Sequence, residues 1–248
     1  MKVVQAKKNR NKGWEYLSEN SLLKNPLVLV FGGRFELEDP EVIQDIRKEF
    51  PYENLVFGST SGEIIGENVF DTSLVVTAIE FEKSSFIVKT ANIFDFDKNA
   101  KLLGEKLIQE LPKAHLKHVF VLSEGSFVNG SALIEGIETS FKDKISLTGG
   151  MCGDGSRFEK TVASYKENPK EGEVIIIGFY GDSLEISFAS FGGWSPFGPE
   201  RIITKSDGNV LFAPTIKGTF DDLGEECLVH FHFRMQGFTK FLLGCIAC

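Results

Sequence analysis

The chain lies over itself at an offset of 91 residues without a gap. Val28, Val30, Ile43, Ile46 and Phe50 fall on Val119, Val121, Ile134, Ile137 and Phe141, and the glycines Gly58 and Gly62 fall on Gly149 and Gly153. An internal repeat constrains the architecture more than composition does, because both copies must bury equivalent faces. Each copy reads as an apolar strand, a helix with apolar residues at i, i+1, i+4 and i+8, a second strand and a glycine-bearing turn. That is a β-α-β unit. In the first copy Asp39-Pro40 supplies the N-cap and first helical position. Phe50-Pro51 ends that helix, since proline disfavours α geometry in the residue before it. Asn129 or Ser131 can cap the second.

After the glycine turn each copy continues with two further strands: 74–81 and 85–91, then 173–180 and 184–191. Leu184, Ile186 and Phe188 alternate with Glu185 and Ser187, as on a sheet with one wet face. The polar segment 166–172 lengthens the second copy, and loops accept such insertions. Repeats are therefore expected over about 27–91 and 118–191. Between them Asp97 starts a helix that carries Leu103, Leu107 and Leu111 on one stripe and stops at Pro112. A further helix over 10–23 would present Trp14 and Leu17. The expected fold is mixed α/β: two duplicated β-α-β-β-β lobes with mixed sheets flanked by helices, in one domain over 1–211.

Charge excludes some functions. With 27 Lys+Arg against 35 Asp+Glu the net charge is −8, which disfavours the phosphate neutralisation that DNA or RNA binding requires. No apolar run reaches the roughly 20 residues that span a bilayer, and the start, Met1-Lys2-Val3-Val4-Gln5-Ala6, lacks the apolar core of a secretory signal. The sequence therefore reads as cytoplasmic, with no nucleic-acid partner and no membrane insertion. The 4 Cys among 248 residues make no disulfide framework. The 23 Phe, against 2 Trp and 4 Tyr, point to an aromatic and aliphatic interior.

The glycine turns are the candidate site. Ser59, Thr60, Ser61, Gly62 and Glu63 follow one strand, and Gly149, Gly150, Cys152, Gly153 and Asp154 follow its counterpart. In α/β sheets ligands bind outside the carboxyl ends of strands, where glycine lets backbone N–H groups approach an anionic or carbonyl oxygen. Two such loops related by duplication can face each other across one pocket. The plainer alternative is that the glycines serve tight turns only. Neither loop carries a nucleotide-binding fingerprint. The side chains are neutral or acidic, so a zwitterion or neutral polar metabolite fits better than an anion, unless Arg157 or Arg201 turns in. Trp194, in the segment Gly192-Gly193-Trp194-Ser195-Pro196, can wall the same pocket. Cys152 would be a nucleophile only with a base such as His115 or His118 beside it; packing as a small residue is the simpler role.

Taken in order, Ser59-Thr60-x-Gly62-Glu63-Ile64, Gly149-Gly150-x-x-Gly153-Asp154-Gly155 with Phe158 and Thr161, and Gly193-Trp194-x-Pro196-x-Gly198 leading to Gly208-Asn209 resemble the N-terminal part of FIST domains, over roughly 15–211. The resemblance implies an intracellular sensory module of prokaryotic signal transduction. Such a module binds a small ligand such as an amino acid and acts on a signalling output protein, without catalysis, cofactor or metal. Two positions depart from the family pattern: Phe57-Gly58 stands where Gly-Cys is usual, and Cys152 where Ala is usual.

The likeness fades after Leu211. Residues 212–248 hold three of the four Cys and two of the four His, a break that a frameshifted remnant of a longer protein would produce. A zinc site from Cys227, His230, His232, Cys245 and Cys248 is the rival reading of that tail, and a docked apolar tail the third. For the whole chain the alternatives to a sensor are an enzyme using Cys152 and a non-functional truncated fragment.

Overall fold

The computed structural model of the chain describes residues 1–10, 12–140 and 145–189, together with four two-residue strands between 202 and 215. Apolar runs too short and too β-branched for helices form the central strands, and more polar segments join them by pairing. In the first half these are β1 (Lys2–Asn9), β2 (Glu15–Tyr16), β3 (Leu27–Gly32), β4 (Asn54–Ser59), the hairpin β5 (Glu63–Ile65) and β6 (Asn68–Phe70), and β7 (Ser73–Glu80). In the second half they are β8 (Ser85–Asn92), β9 (Leu116–Ser123), β10 (Ser146–Met151), β11 (Ala163–Tyr165) and β12 (Glu173–Tyr180). Helices α1 (Arg34–Glu38) and α2 (Pro40–Glu49) follow β3; α3 (Ala100–Gln109) precedes β9 and α4 (Gly130–Glu138) follows it.

The first sheet runs β11-β4-β3-β7-β1-β2 and the second β10-β9-β12-β8. The duplication is visible in the pairing itself. β3 is parallel to β4 and antiparallel to β7, which is antiparallel to β1; β9 stands in the same relations to β10, to β12 and through it to β8. Val28 lies opposite Ala78 and its counterpart Val119 opposite Gly178. Phe31 lies opposite Gly58 and its counterpart Leu122 opposite Gly150. Gly58 therefore corresponds to Gly150 rather than to Gly149, and the second copy gains one residue between α4 and β10.

The two sheets stack face to face with a helix pair outside each. Side chains such as Val28, Ile43, Ile46 and Phe57 fill the space between the first sheet and α1–α2, and Leu103, Leu107, Ile137 and Ile176 fill that between the second sheet and α3–α4. Leu27, Val56, Ile175, Ile177 and Phe179 make the layer between the sheets. There Phe81 stacks at 5.7 Å on Phe179 and 5.9 Å on Phe86. Period-2 alternation explains the division: odd residues of β12 face the other sheet and even ones face the helices.

The helix signals are realised closely. Asp39 caps α2 through its side chain to the Glu41 N–H at 2.9 Å, with Pro40 at the first position and Phe50 at the C-cap. Asn129, not Ser131, caps α4. The cap of α3 is Asn99 rather than Asp97, because Asp97 takes a φ of 49° to close the 3-10 turn Ile93–Phe96.

Three elements differ from expectation, the first being β8, which was read with the first copy but pairs with β12 in the second sheet. No helix forms over 10–23 among the described residues; Trp14 donates to Asp45 Oδ2 at 3.0 Å and meets Phe50 edge-on at 5.1 Å, while Leu17 stays exposed. The expected strand from 184 is not formed over 184–189, because both edges of β12 are already paired, to β9 and β8. Leu184 and Ile186 nevertheless half-bury against the layer between the sheets. The 192–199 segment with Trp194 and most of the 212–248 tail lie outside the described residues, and of the tail only the strand Pro214–Thr215 falls within them.

At the end of β12 the Tyr180 ring is buried, and its hydroxyl has no hydrogen-bond partner among the described residues. An unpaired buried hydroxyl is unfavourable, so Tyr180→Phe is expected to stabilise the chain by about 1 kcal/mol, or about 2–4 °C in Tm. A thermal melt of the variant measures it.

Candidate functional site

The carboxyl ends of the parallel pairs β3–β4 and β9–β10 come together where the two halves meet. The glycines Gly58, Gly149 and Gly150 belong to the strands themselves, not to the loops expected of them. At Gly149, with φ of 153°, a Cβ would stand 1.9 Å from the Val121 carbonyl oxygen, so its glycine character is a requirement of strand packing. Beyond the strands the two loops touch directly. Gly153 N–H donates to Ser59 O at 2.8 Å, and Gly155 N–H to Ser61 Oγ at 3.1 Å. Ser59 Oγ accepts from Val162 N–H at 3.0 Å, and a Cβ on Gly153 would come within 2.3 Å of Ser61 Oγ. Ser59, Thr60, Ser61, Gly62 and Glu63 are thus brought against Cys152, Gly153 and Asp154.

Two buried carboxylates are locked by this junction. Glu63 accepts from Thr60 Oγ1 at 2.5 Å, from Ser73 Oγ at 2.5 Å and from Ser73 N–H at 3.2 Å. Asp154 accepts from Arg157 Nε at 2.8 Å, pairs with Arg157 Nη2 at 2.7 Å, and takes the N–H groups of Glu159 and Lys160, each at 3.3 Å. Arg34, buried at the start of α1, brings Nε to 3.1 Å from the same carboxylate, off the hydrogen-bonding direction, and Nη2 to 3.0 Å from Glu159. Burial alone would raise the Asp154 pKa; the Arg157 hydrogen bond, the two backbone N–H groups and the Arg34 charge outweigh it and hold the carboxyl below its ordinary value. Exposed Phe35 lies between the two guanidiniums, its ring centre 4.5 Å from Arg34 Cζ and 4.8 Å from Arg157 Cζ.

Arg157 therefore does turn in, and the site holds cations that a count of the two loops omitted. Arg201 lies outside the described residues. Sequence reasoning also missed Arg34, Phe35 and Glu124. Glu124 is fully buried, accepting from Ser126 N–H at 2.5 Å, Phe127 N–H at 2.8 Å and the Thr161 hydroxyl. The signal was available: Gly33-Arg34 and Glu124-Gly125 stand at the carboxyl ends of β3 and β9, where the strand-end rule applies as much as after β4 and β10.

Cys152 is buried between Gly58 and Leu122, its thiol pushed up to about 12 by desolvation first and by the negative Glu124 second. Neither histidine accompanies it. His118 sits at the far end of β9, about 16 Å along the strand by its rise per residue. There it bonds Ser146 Oγ at 2.6 Å and Thr148 Oγ1 at 2.8 Å, its pKa lowered to about 4 by burial. His115 faces Asp182 at 3.3 Å. So placed, the thiol is packed into the layer between the sheets. Iodoacetamide at neutral pH is expected to leave Cys152 unmodified while the native fold persists and to label it after denaturation, read by peptide mass mapping. Among the described residues no three His, Cys, Asp or Glu side chains group as metal ligands, and no helix is long and apolar enough to cross a membrane.

The model of the FIST N domain matches residues 26–213, and the chain belongs to this family of signal-transduction sensory domains. No curated protein matches the chain.

Proposed function

We propose that the chain is a cytoplasmic sensor whose glycine-loop junction binds a small polar metabolite, an amino acid or a close relative, and reports its occupancy to a signalling output protein. The observation that carries this reading is the rim of the junction. Arg157, paired to Asp154, and Glu159, paired to Arg34, put a cation and a carboxylate on the loop whose Gly155 N–H meets exposed Ser61, charges that the carboxylate and ammonium of a zwitterion complement. Arg34 and Asp154 fix that rim from below. Trp194 is assigned to the same site as a wall, and Gly150, with open space at its Cβ position, as a backbone contact. The ligand-binding unit is taken as 1–211, with 212–248 as a separate segment.

A thermal melt of the chain with each common amino acid at millimolar concentration tests the reading. Ligand at about 100 times its dissociation constant adds about 2.7 kcal/mol, expected here as a rise of about 5–10 °C. A rise for one chemical class supports the sensor. A cooperative melt that no amino acid shifts contradicts it.

A further inference from the structure

The two ends of the second sheet differ in chemistry. At the end remote from the glycine loops, about 23 Å away along β12 by its rise per residue, a groove of about 460 Å³ opens between the Lys83–Ser85 connection, the segment after α3 and the end of β12. Its apolar wall is Ile87, Pro112 and the Tyr180 ring; its polar groups are Lys83, Ser84, Ser85 and His115. No carboxylate lines it, although acids outnumber bases in the chain 35 to 27. Two acids stand at its margin, Glu82 next to Lys83 and Asp182 beside His115, each with a further cationic partner. Glu82 pairs with the Met1 ammonium at 2.5 Å, and Asp182 lies 3.3 Å from His115 and 3.2 Å from Lys117. Exposed Lys83 is within ion-pair distance of no carboxylate among the described residues.

We propose that this groove is a second ligand site, which takes a small organic monocarboxylate with an aromatic or branched apolar body. The body lies on the Tyr180 and Pro112 wall, and the carboxylate meets the Lys83 ammonium and the Ser85 hydroxyl. The groove is broad and open to solvent, with a few polar groups beside an apolar floor, so it suits a weakly held ligand and not an enclosed one.

Amide NMR of the full isotope-labelled chain, titrated with sodium benzoate and separately with neutral benzamide at equal ionic strength, tests this. Benzoate is expected to give saturable shifts at Ser85, Ile87, Ala114 and Gly181, with millimolar affinity, and benzamide to bind at least about fivefold more weakly. Lys83 is exposed, so Lys83→Met should keep the fold and weaken benzoate about fivefold, as loss of one partly solvated ion pair implies. Equal binding of benzoate and benzamide, shifts confined to other residues, or unchanged benzoate affinity in Lys83→Met would each overturn the proposal.

Discussion

Gly149→Ala is expected to cost about 4 kcal/mol or more, because the new Cβ meets backbone and the φ there is strained for any other residue. The Val121 carbonyl oxygen at 1.9 Å belongs to β9, the strand to which β10 is paired. It cannot retreat without opening that parallel pair. The neighbouring Gly150→Ala is the internal control. Nothing lies within 4 Å of its Cβ position and its φ is not positive, so a change within about 0.5 kcal/mol is expected. Urea midpoints of the two variants measure the contrast. Equal midpoints would mean that the β9–β10 register is wrong. The pair also separates two roles that sequence assigned together: Gly149 serves the fold, and Gly150 is free to serve a ligand.

Asp154→Ala is expected to destabilise by about 3 kcal/mol, because it removes the buried carboxylate beside Arg34, leaves that guanidinium only the exposed Glu159, and strips Arg157 and two backbone N–H groups of their acceptor. For a chain of this size that lowers Tm by about 6–12 °C. The wild-type carboxyl is held below its ordinary pKa. Its contribution is therefore fully present above the unfolded value of about 3.9 and is lost as pH falls through the lower folded value. Urea unfolding between pH 7 and pH 3 should show the gap between wild type and variant constant down to about pH 4 and narrowing below it. A gap that widens in acid would contradict the assigned ion pairs.

Much of the architecture was legible because it is written locally. The α2 cap, the proline after it and the Leu103, Leu107, Leu111 stripe each act within a few residues of themselves, and all three leucines are buried. The repeat was legible because equivalent apolar faces must recur. Strand partnership was not, since it is decided by distant elements. β8 leaves its neighbour β7 and pairs with β12, the strand to which 184–191 had been expected to return. β1 was missed because only Val4 and Ala6 of its eight residues are buried; it is a strand by virtue of β7. Trp14 and Leu17 have helical spacing, but the fixed points for Trp14 are Asp45 and Phe50 on another element. The site divides in the same way. The loops were marked by their glycines and hydroxyls, whereas Arg34 carries no motif, and the carboxylate that gives it meaning lies 120 positions further on.

The central proposal is that duplication has placed two glycine-bearing strand ends so that together they form a single ligand site. Amide NMR of the labelled chain during titration with the common L-amino acids tests it most directly. One chemical class is expected to shift Ser61, Gly62, Gly153 and Gly155 together, with a single dissociation constant fitting both loops. Shifts in one loop alone, or in neither for every amino acid, would contradict the claim.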